Sequence, residues 1–328
     1  MKKALYYKTL ADGRIKCLLC PHACLIGAGQ VGLCGVRENK NGVLYSLVYA
    51  KATSIANDPI EKKPLYHFYP GSYILSFGSY GCNLRCGFCQ NWQISQKEAP
   101  YKNIIPQQAL ELALQSDSLG IAYTYNEPFM SYEYVLETAK LLRTKGLKNV
   151  LVTNGEVNQE PLLEILPYID AMNIDLKAFN EAFYHKYCGG KLSPVLDTIR
   201  LSYERCHIEI TNLIIPGLND HETEITQMVD WLADLRSDIP LHFSRYFPHY
   251  KFDQEPTPIS RLLRARELAQ KKLKYVYIGN IDSEEYNSTF CPGCKKALIV
   301  RDGYRILNNL IKNNCCPECG AEIPIVGS

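Results

Sequence analysis

Cys82, Cys86 and Cys89 fall within the stretch GCNLRCGFCQNW at 81–92, three thiols in eight residues with no fourth beside them. A structural zinc site closes its shell with four ligands, and an ordinary cubane cluster takes one thiolate on each of its four irons. A C-x3-C-x2-C loop can wrap three corners of a [4Fe-4S] cube, with Gly81 and Gly87 letting the backbone curl close. The fourth iron is then open to another ligand. A zinc half-site completed elsewhere in the chain is the competing reading of the same residues.

Two other sets of cysteines can close a shell by themselves. Cys291-Pro-Gly-Cys294 and Cys316-Pro-Glu-Cys319 are two C-x2-C knuckles close to the four-cysteine zinc-ribbon spacing, with Cys315 left over. A module of this size cannot rely on its own core, so zinc, or iron in the same tetrahedral sulfur shell, is expected to organise it. Near the N-terminus, Cys17, Cys20, Cys24 and Cys34 form C-x2-C-x3-C-x9-C, which suits either a second iron-sulfur cluster or zinc, with His22 as a substitute ligand. Cys188 and Cys206 stand alone.

The elements that must position these residues are legible between them. Short apolar, β-rich runs at 72–79, 120–126, 149–154, 171–176, 207–216, 240–247 and 274–280 alternate with amphipathic stretches such as SYEYVLETAKLLRTKG and HETEITQMVDWLADLR. Gly146 reads as a helix C-cap. This alternation predicts an α/β fold of six or seven βα units around a parallel sheet, a partial or complete (β/α) barrel. Three domains are expected: an N-terminal cysteine segment at 1–70, the barrel at 71–285 and a zinc-ribbon-like module at 286–328.

Polar residues collect at the C-terminal ends of the expected strands, which form the active face of a parallel barrel. They include Asn126, Glu127, Thr153, Asn154, Asp175, Lys177 and Arg245, and the three-cysteine loop follows the first strand onto the same face. Asp175 and Lys177, separated by one residue, point to one side of their strand. His242 or Arg245, on opposite faces of LHFSRYF, is expected to reach the site.

Composition excludes several function classes. The 328 residues are 46% hydrophobic with a formal net charge of +2 and carry no basic run, which argues against a nucleic-acid or membrane-surface protein. No signal h-region and no run of 18 apolar residues occurs, so a cytoplasmic protein is expected. Fourteen cysteines in a reducing compartment point to metal or catalytic roles, not disulfides.

The C-x3-C-x2-C spacing resembles the signature of the radical S-adenosylmethionine (SAM) superfamily. The resemblance implies that the open iron chelates the amino and carboxylate groups of SAM, and that reductive cleavage releases a 5′-deoxyadenosyl radical. It also implies that Phe88 lies beside the adenine, that Glu127 in YTYNEP takes the place of a G-G-E stretch near the methionyl amine, and that Asp175 and Lys177 reach ribose and carboxylate. The strings CPHAC, TYNEP, NIDLKAF, YCGGKLSPVL, IIPGLND and HFSRYFPHYK are similar, over essentially the whole chain, to the radical SAM enzymes of the AmmeMemoRadiSam system, often labelled pyruvate formate-lyase activating enzyme homologues. That implies Memo-like and AMMECR-domain partners and an external electron donor such as flavodoxin or ferredoxin. Cys188-Gly189-Gly190 departs from the threonine-glycine step of glycyl-radical activases, which makes Cys188 a candidate catalytic thiol or a buried structural one. The expected function is hydrogen abstraction from a protein or small molecule; the alternative is a metal-dependent scaffold without radical turnover.

Overall fold

The computed structural model describes residues 1–281 and 283–327. Eight strands make the central sheet: β1 (Ser54–Pro59), β2 (Tyr73–Gly78), β3 (Gly120–Tyr123), β4 (Lys148–Thr153), β5 (Ala171–Asp175), β6 (His207–Ile214), β7 (Leu241–Arg245) and β8 (Val276–Gly279). They lie side by side in chain order, parallel from β2 to β8, with β1 antiparallel on β2. No ladder joins β8 to β1 among the described residues, so no backbone pairing closes the sheet into a full barrel. Strand positions agree with the sequence-based expectation; β1 is the addition, and its SIANDP composition carries no strong strand signal.

The strands are buried because both faces are covered, and their apolar runs reflect this: all four residues of β3 are buried. Helices cover the outside. α1 (Pro106–Gln115), α2 (Tyr132–Arg143), α3 (Gln159–Ile165), α4 (Leu192–Tyr203), α5 (Glu222–Leu235) and α6 (Ile259–Ala269) each bury one apolar stripe. In α5 that stripe is Ile225, Met228, Val229 and Leu232, at helical spacing. Gly146, at φ +73°, ends the turn after α2 in the left-handed region that favours glycine.

The register of the ladders decides what meets at the mouth. Asp175 lies opposite Thr211, Leu213 opposite Ser244, and Ser244 opposite Gly279. Asp175 of β5, Thr211 and Leu213 of β6 and Ser244 of β7 thereby come to one cavity wall.

The C-terminal module packs against β8 and against segment 60–71. The C-terminal hairpin, Ala297–Asp302 with Arg305–Asn309, packs against segment 60–71. Its Arg301 is fully buried, donates to the Tyr66 carbonyl at 2.8 Å and lies 3.6 Å from Glu61. The chain end adds a further tie: Tyr69 N donates to Val326 O at 2.7 Å, and Val326 N to His67 O at 2.8 Å.

Beneath the barrel, Glu209 is wholly buried and accepts from His67 N at 2.7 Å, with His207 Nε2 at 2.9 Å and His242 Nε2 at 2.6 Å. His67 continues the network to Tyr277 OH at 2.7 Å and to Pro324 O at 3.1 Å. A buried carboxylate is tolerable here because every oxygen is occupied.

Candidate active site and metal centres

β2 ends at Gly78, and the chain turns directly into the cysteine loop. Gly81 sits at φ +87°, and a Cβ there would lie 2.5 Å from Val36 and 2.9 Å from the Cys34 carbonyl, so only glycine fits. Gly87 is similarly constrained by Phe252, 2.5 Å from where its Cβ would be. The loop is thus pressed between the N-terminal segment and the tongue at 249–252.

Cys82, Cys86 and Cys89 line one side of an open cavity of about 1590 Å³, its solvent mouth included. Phe88, Glu127, Asn154, Asp175 and Lys177 line the same cavity. Glu127 is buried and accepts from Thr153 Oγ1 at 2.7 Å, Asn154 N at 2.8 Å and Phe129 N at 3.2 Å. It thereby ties the end of β3 to the end of β4 and caps the turn at 128–131. Burial pushes its carboxyl up to about 7, against those hydrogen bonds and with help from Asp175.

Lys177 Nζ donates to Asp175 Oδ2 at 3.0 Å. Burial opposes its charge, but Asp175 and the Cys86 and Cys188 sulfurs hold its pKa well above the usual lysine value. The ammonium therefore stays charged at the cavity wall. Asn154 Nδ2 donates to Asn83 Oδ1 at 2.9 Å and lies 3.6 Å from Cys82 Sγ, while Leu84 N lies 3.3 Å from the same sulfur. Phe88 packs edge-on against Phe252, ring centroids 5.5 Å apart.

His242, Arg245 and Cys188 do not reach the cavity. His242 belongs to the Glu209 network and is 3% exposed. In the ladders it lies level with Thr211 and Asp175, which do line the cavity, but the Tyr66 and Tyr277 rings pack against it and Glu209 holds its Nε2. Arg245 points outward, donating to Thr257 O at 2.8 Å over the Phe247 ring. Cys188 is fully buried and hydrogen-bonds Cys86, the main reason that thiol's pKa is raised. Sequence reasoning missed Thr211, Ser244, Lys63 and Tyr304, all on the cavity wall. Alternation along β6 and β7 signals the first two; Lys63 and Tyr304 arrive from outside the parallel strands and carry no local signal.

The three cysteine sets differ in spacing. Cys291, Cys294, Cys316 and Cys319 have all four sulfurs within 4.8 Å of one another, with Cys291 to Cys319 at 3.5 Å and Cys294 to Cys316 at 3.6 Å. A tetrahedral ion with metal–sulfur bonds of about 2.3 Å sets its sulfurs about 3.8 Å apart, so this set fits a single metal ion. Among the described residues, neither the loop three nor the N-terminal four meets that closeness. A cubane, with one thiolate on each corner iron, does not require that closeness, and N–H groups directed at Cys82 suit a sulfur of such a cluster. No further cysteine lines the cavity to close the shell.

Three thiols around an open position, on the C-terminal face of a partial parallel barrel, define an enzyme of the radical SAM kind. Residues 77–229 match the radical SAM superfamily. The chain carries a radical SAM domain and belongs to the family of Uncharacterized protein MJ0808 of Methanocaldococcus jannaschii, to which it is 44% identical over 99% of its own length and 100% of the relative's. Putative glycyl-radical enzyme activating enzyme MJ1632, from the same organism, is 28% identical over 60% of this chain and 77% of its own. In fold alone, the chain resembles a radical SAM methyltransferase from Sphaerobacter thermophilus, with a TM-score of 0.50 and 15% identity over 64% of this chain and 67% of that one. No helix among the described residues is long and apolar enough to cross a membrane.

Proposed function

We propose that Cys82, Cys86 and Cys89 hold a [4Fe-4S] cluster, that SAM occupies the adjoining cavity, and that the enzyme abstracts hydrogen from a protein or small-molecule substrate. The observation that carries this is the junction, in one cavity, of three thiols with Glu127, Asp175 and Lys177. When bound, the cluster and SAM together supply a 5′-deoxyadenosyl radical, chemistry that belongs to the cofactor and not to the side chains.

The chain's own residues bind, orient and exclude water. Lys177 is the cation for the methionyl carboxylate, and Asp175, already its partner, faces the ribose hydroxyls as an acceptor. Phe88 offers an aromatic surface to the adenine. Glu127 keeps the ends of β3 and β4 in register behind the methionyl amine. The Asn154 amide, directed toward Cys82, stabilises negative charge on that sulfur. Thr211, Ser244 and Tyr304 line the remainder and are the walls that a substrate would meet.

The string resemblance supports membership of the AmmeMemoRadiSam system, with Memo-like and AMMECR-domain proteins as partners and a flavodoxin or ferredoxin as electron donor. The open gap between β8 and β1 supports access by a polypeptide loop, although the C-terminal hairpin narrows it. The test is 5′-deoxyadenosine release by anaerobically reconstituted protein given dithionite and SAM, compared with the Cys82, Cys86, Cys89 triple alanine variant. Release that depends on the three cysteines supports the reading. A loaded cluster that binds no SAM overturns it.

A further inference from the structure

Cys17, Cys20, Cys24 and Cys34 ring one internal cavity, on the far side of the cysteine loop from the SAM cavity. His22, Arg37 and Asn83 share its wall with apolar residues that include Ile26 and Met130. The four sulfurs converge without approaching as closely as a single ion requires, whereas the C-terminal set does. Cys17 and Cys20 are buried, and Leu33 N points at Cys24 Sγ from 3.5 Å.

Arg37 provides an independent observation. Its side chain is 1% exposed; Nη2 serves the Leu5 carbonyl and Glu133, but Nε and Nη1 have no hydrogen-bond partner among the described residues. Orphaned guanidinium donors are costly in a buried place, and Arg37 lines this cavity. Sulfur atoms of an anionic cluster are acceptors that such donors would serve.

The wall between the two sites is thin. Asn83, the residue after Cys82, lines the N-terminal cavity, while Cys82 lines the SAM cavity. The Cys34 carbonyl packs against Gly81, and Arg85 reaches back to the Leu33 carbonyl.

We infer that Cys17, Cys20, Cys24 and Cys34 bind a second, fully cysteine-ligated [4Fe-4S] cluster, which relays single electrons to the loop cluster through the wall at Asn83. The relay role rests on the radical SAM reading; the cluster site does not. An external low-potential one-electron carrier reduces the N-terminal cluster by one electron. That cluster returns to its oxidised form when the electron passes to the loop cluster, and no atom or proton changes place.

The test uses the full chain, reconstituted anaerobically. The Cys82, Cys86, Cys89 triple alanine variant is expected to retain about four irons and four sulfides per chain, and after reduction to show a paramagnetic signal that SAM leaves unchanged. Wild type should carry about twice that iron and a second signal that SAM alters. Zinc, or no metal, in the N-terminal set of the triple variant overturns the inference. If that variant fails to fold, wild type decides: about four irons per chain, with zinc beyond the C-terminal ion, gives the same refutation. A triple variant that keeps its iron, beside a wild-type loop signal indifferent to SAM, retains the second cluster and removes its relay role, so the two readings fail separately.

Discussion

His67 connects the floor of the barrel to the C-terminal module, and acid should reveal how much that connection contributes. The ring is fully buried; its Nδ1 faces the Pro324 carbonyl, and its Nε2 faces Tyr277 OH. Tyr277 OH in turn lies 2.9 Å from Thr289 Oγ1, which also accepts from Arg301 Nη1 at 2.8 Å. The neutral ring with its proton on Nδ1 satisfies this chain, and charging it would turn Tyr277 from donor to acceptor and place a cation in a site cut off from water. Burial, together with His207 and Arg301, lowers its pKa from 6.5 to about 3, although Glu209 opposes the shift. A histidine depressed in this way binds fewer protons folded than unfolded, so its contribution is whole above the unfolded value and declines as pH falls from there toward the folded one. The full shift amounts to about 5 kcal/mol, of which about 2 kcal/mol is lost between pH 7 and pH 5. Glu209 leaves that window clear: against burial, hydrogen bonds from His207 and His242 depress its pKa from 4.5, so its contribution fades only at lower pH. Urea unfolding of wild type and His67→Asn across this range, followed by tryptophan fluorescence under anaerobic conditions, isolates the term. The asparagine amide can still donate to Pro324 but does not titrate. His67→Asn should be less stable at pH 7 and should lose about 2 kcal/mol less on the way to pH 5. Metal release at low pH is common to both proteins and cancels in the difference. Parallel acid limbs would refute the reasoning.

Other outcomes follow from the same geometry. Lys177→Met should weaken SAM binding about ten- to hundredfold by equilibrium dialysis, the worth of a hydrogen bond to a charged group, with loop iron unchanged; equal affinity would remove Lys177 from the carboxylate site. Gly120→Ala should abolish soluble expression or cost more than 3 kcal/mol on the order of other severe backbone clashes, because the added Cβ would lie 1.9 Å from the Lys148 carbonyl across the β3–β4 ladder. A thermal melt near that of wild type would show that the strands can part. Cys316→Ser should remove about one metal ion per chain and open the region after Phe290 to proteolysis, as expected where a metal organises a small module; an unchanged digestion pattern would mean that packing against Tyr66 and Tyr277 suffices.

Much of the site was legible because its chemistry is written locally. The cysteine spacings, the βα alternation and the polar strand ends Glu127, Asn154, Asp175 and Lys177 each depend on neighbours a few residues away, and the structure brings them to one cavity. His242 was misplaced because strand alternation tells which face a side chain takes, not what packs over it: Glu209 and the Tyr66 and Tyr277 rings enclose it, while Ser244 on the same face meets the cavity.

By itself, then, the sequence determined the parallel βα architecture, three cysteine sets and a loop of three cysteines without a fourth, since periodicity and ligand spacing are properties of short segments. Tertiary structure alone decided that no ladder joins β8 to β1 among the described residues, that Arg301 and His67 bind the C-terminal module to the barrel, and that Asn83 divides two cysteine-lined cavities. Those outcomes depend on contacts between residues far apart in the chain, as in the 235 positions separating Tyr66 from Arg301. No local pattern encodes such pairings, because they are set by which buried surfaces and hydrogen-bonding groups find complements once the whole chain has closed.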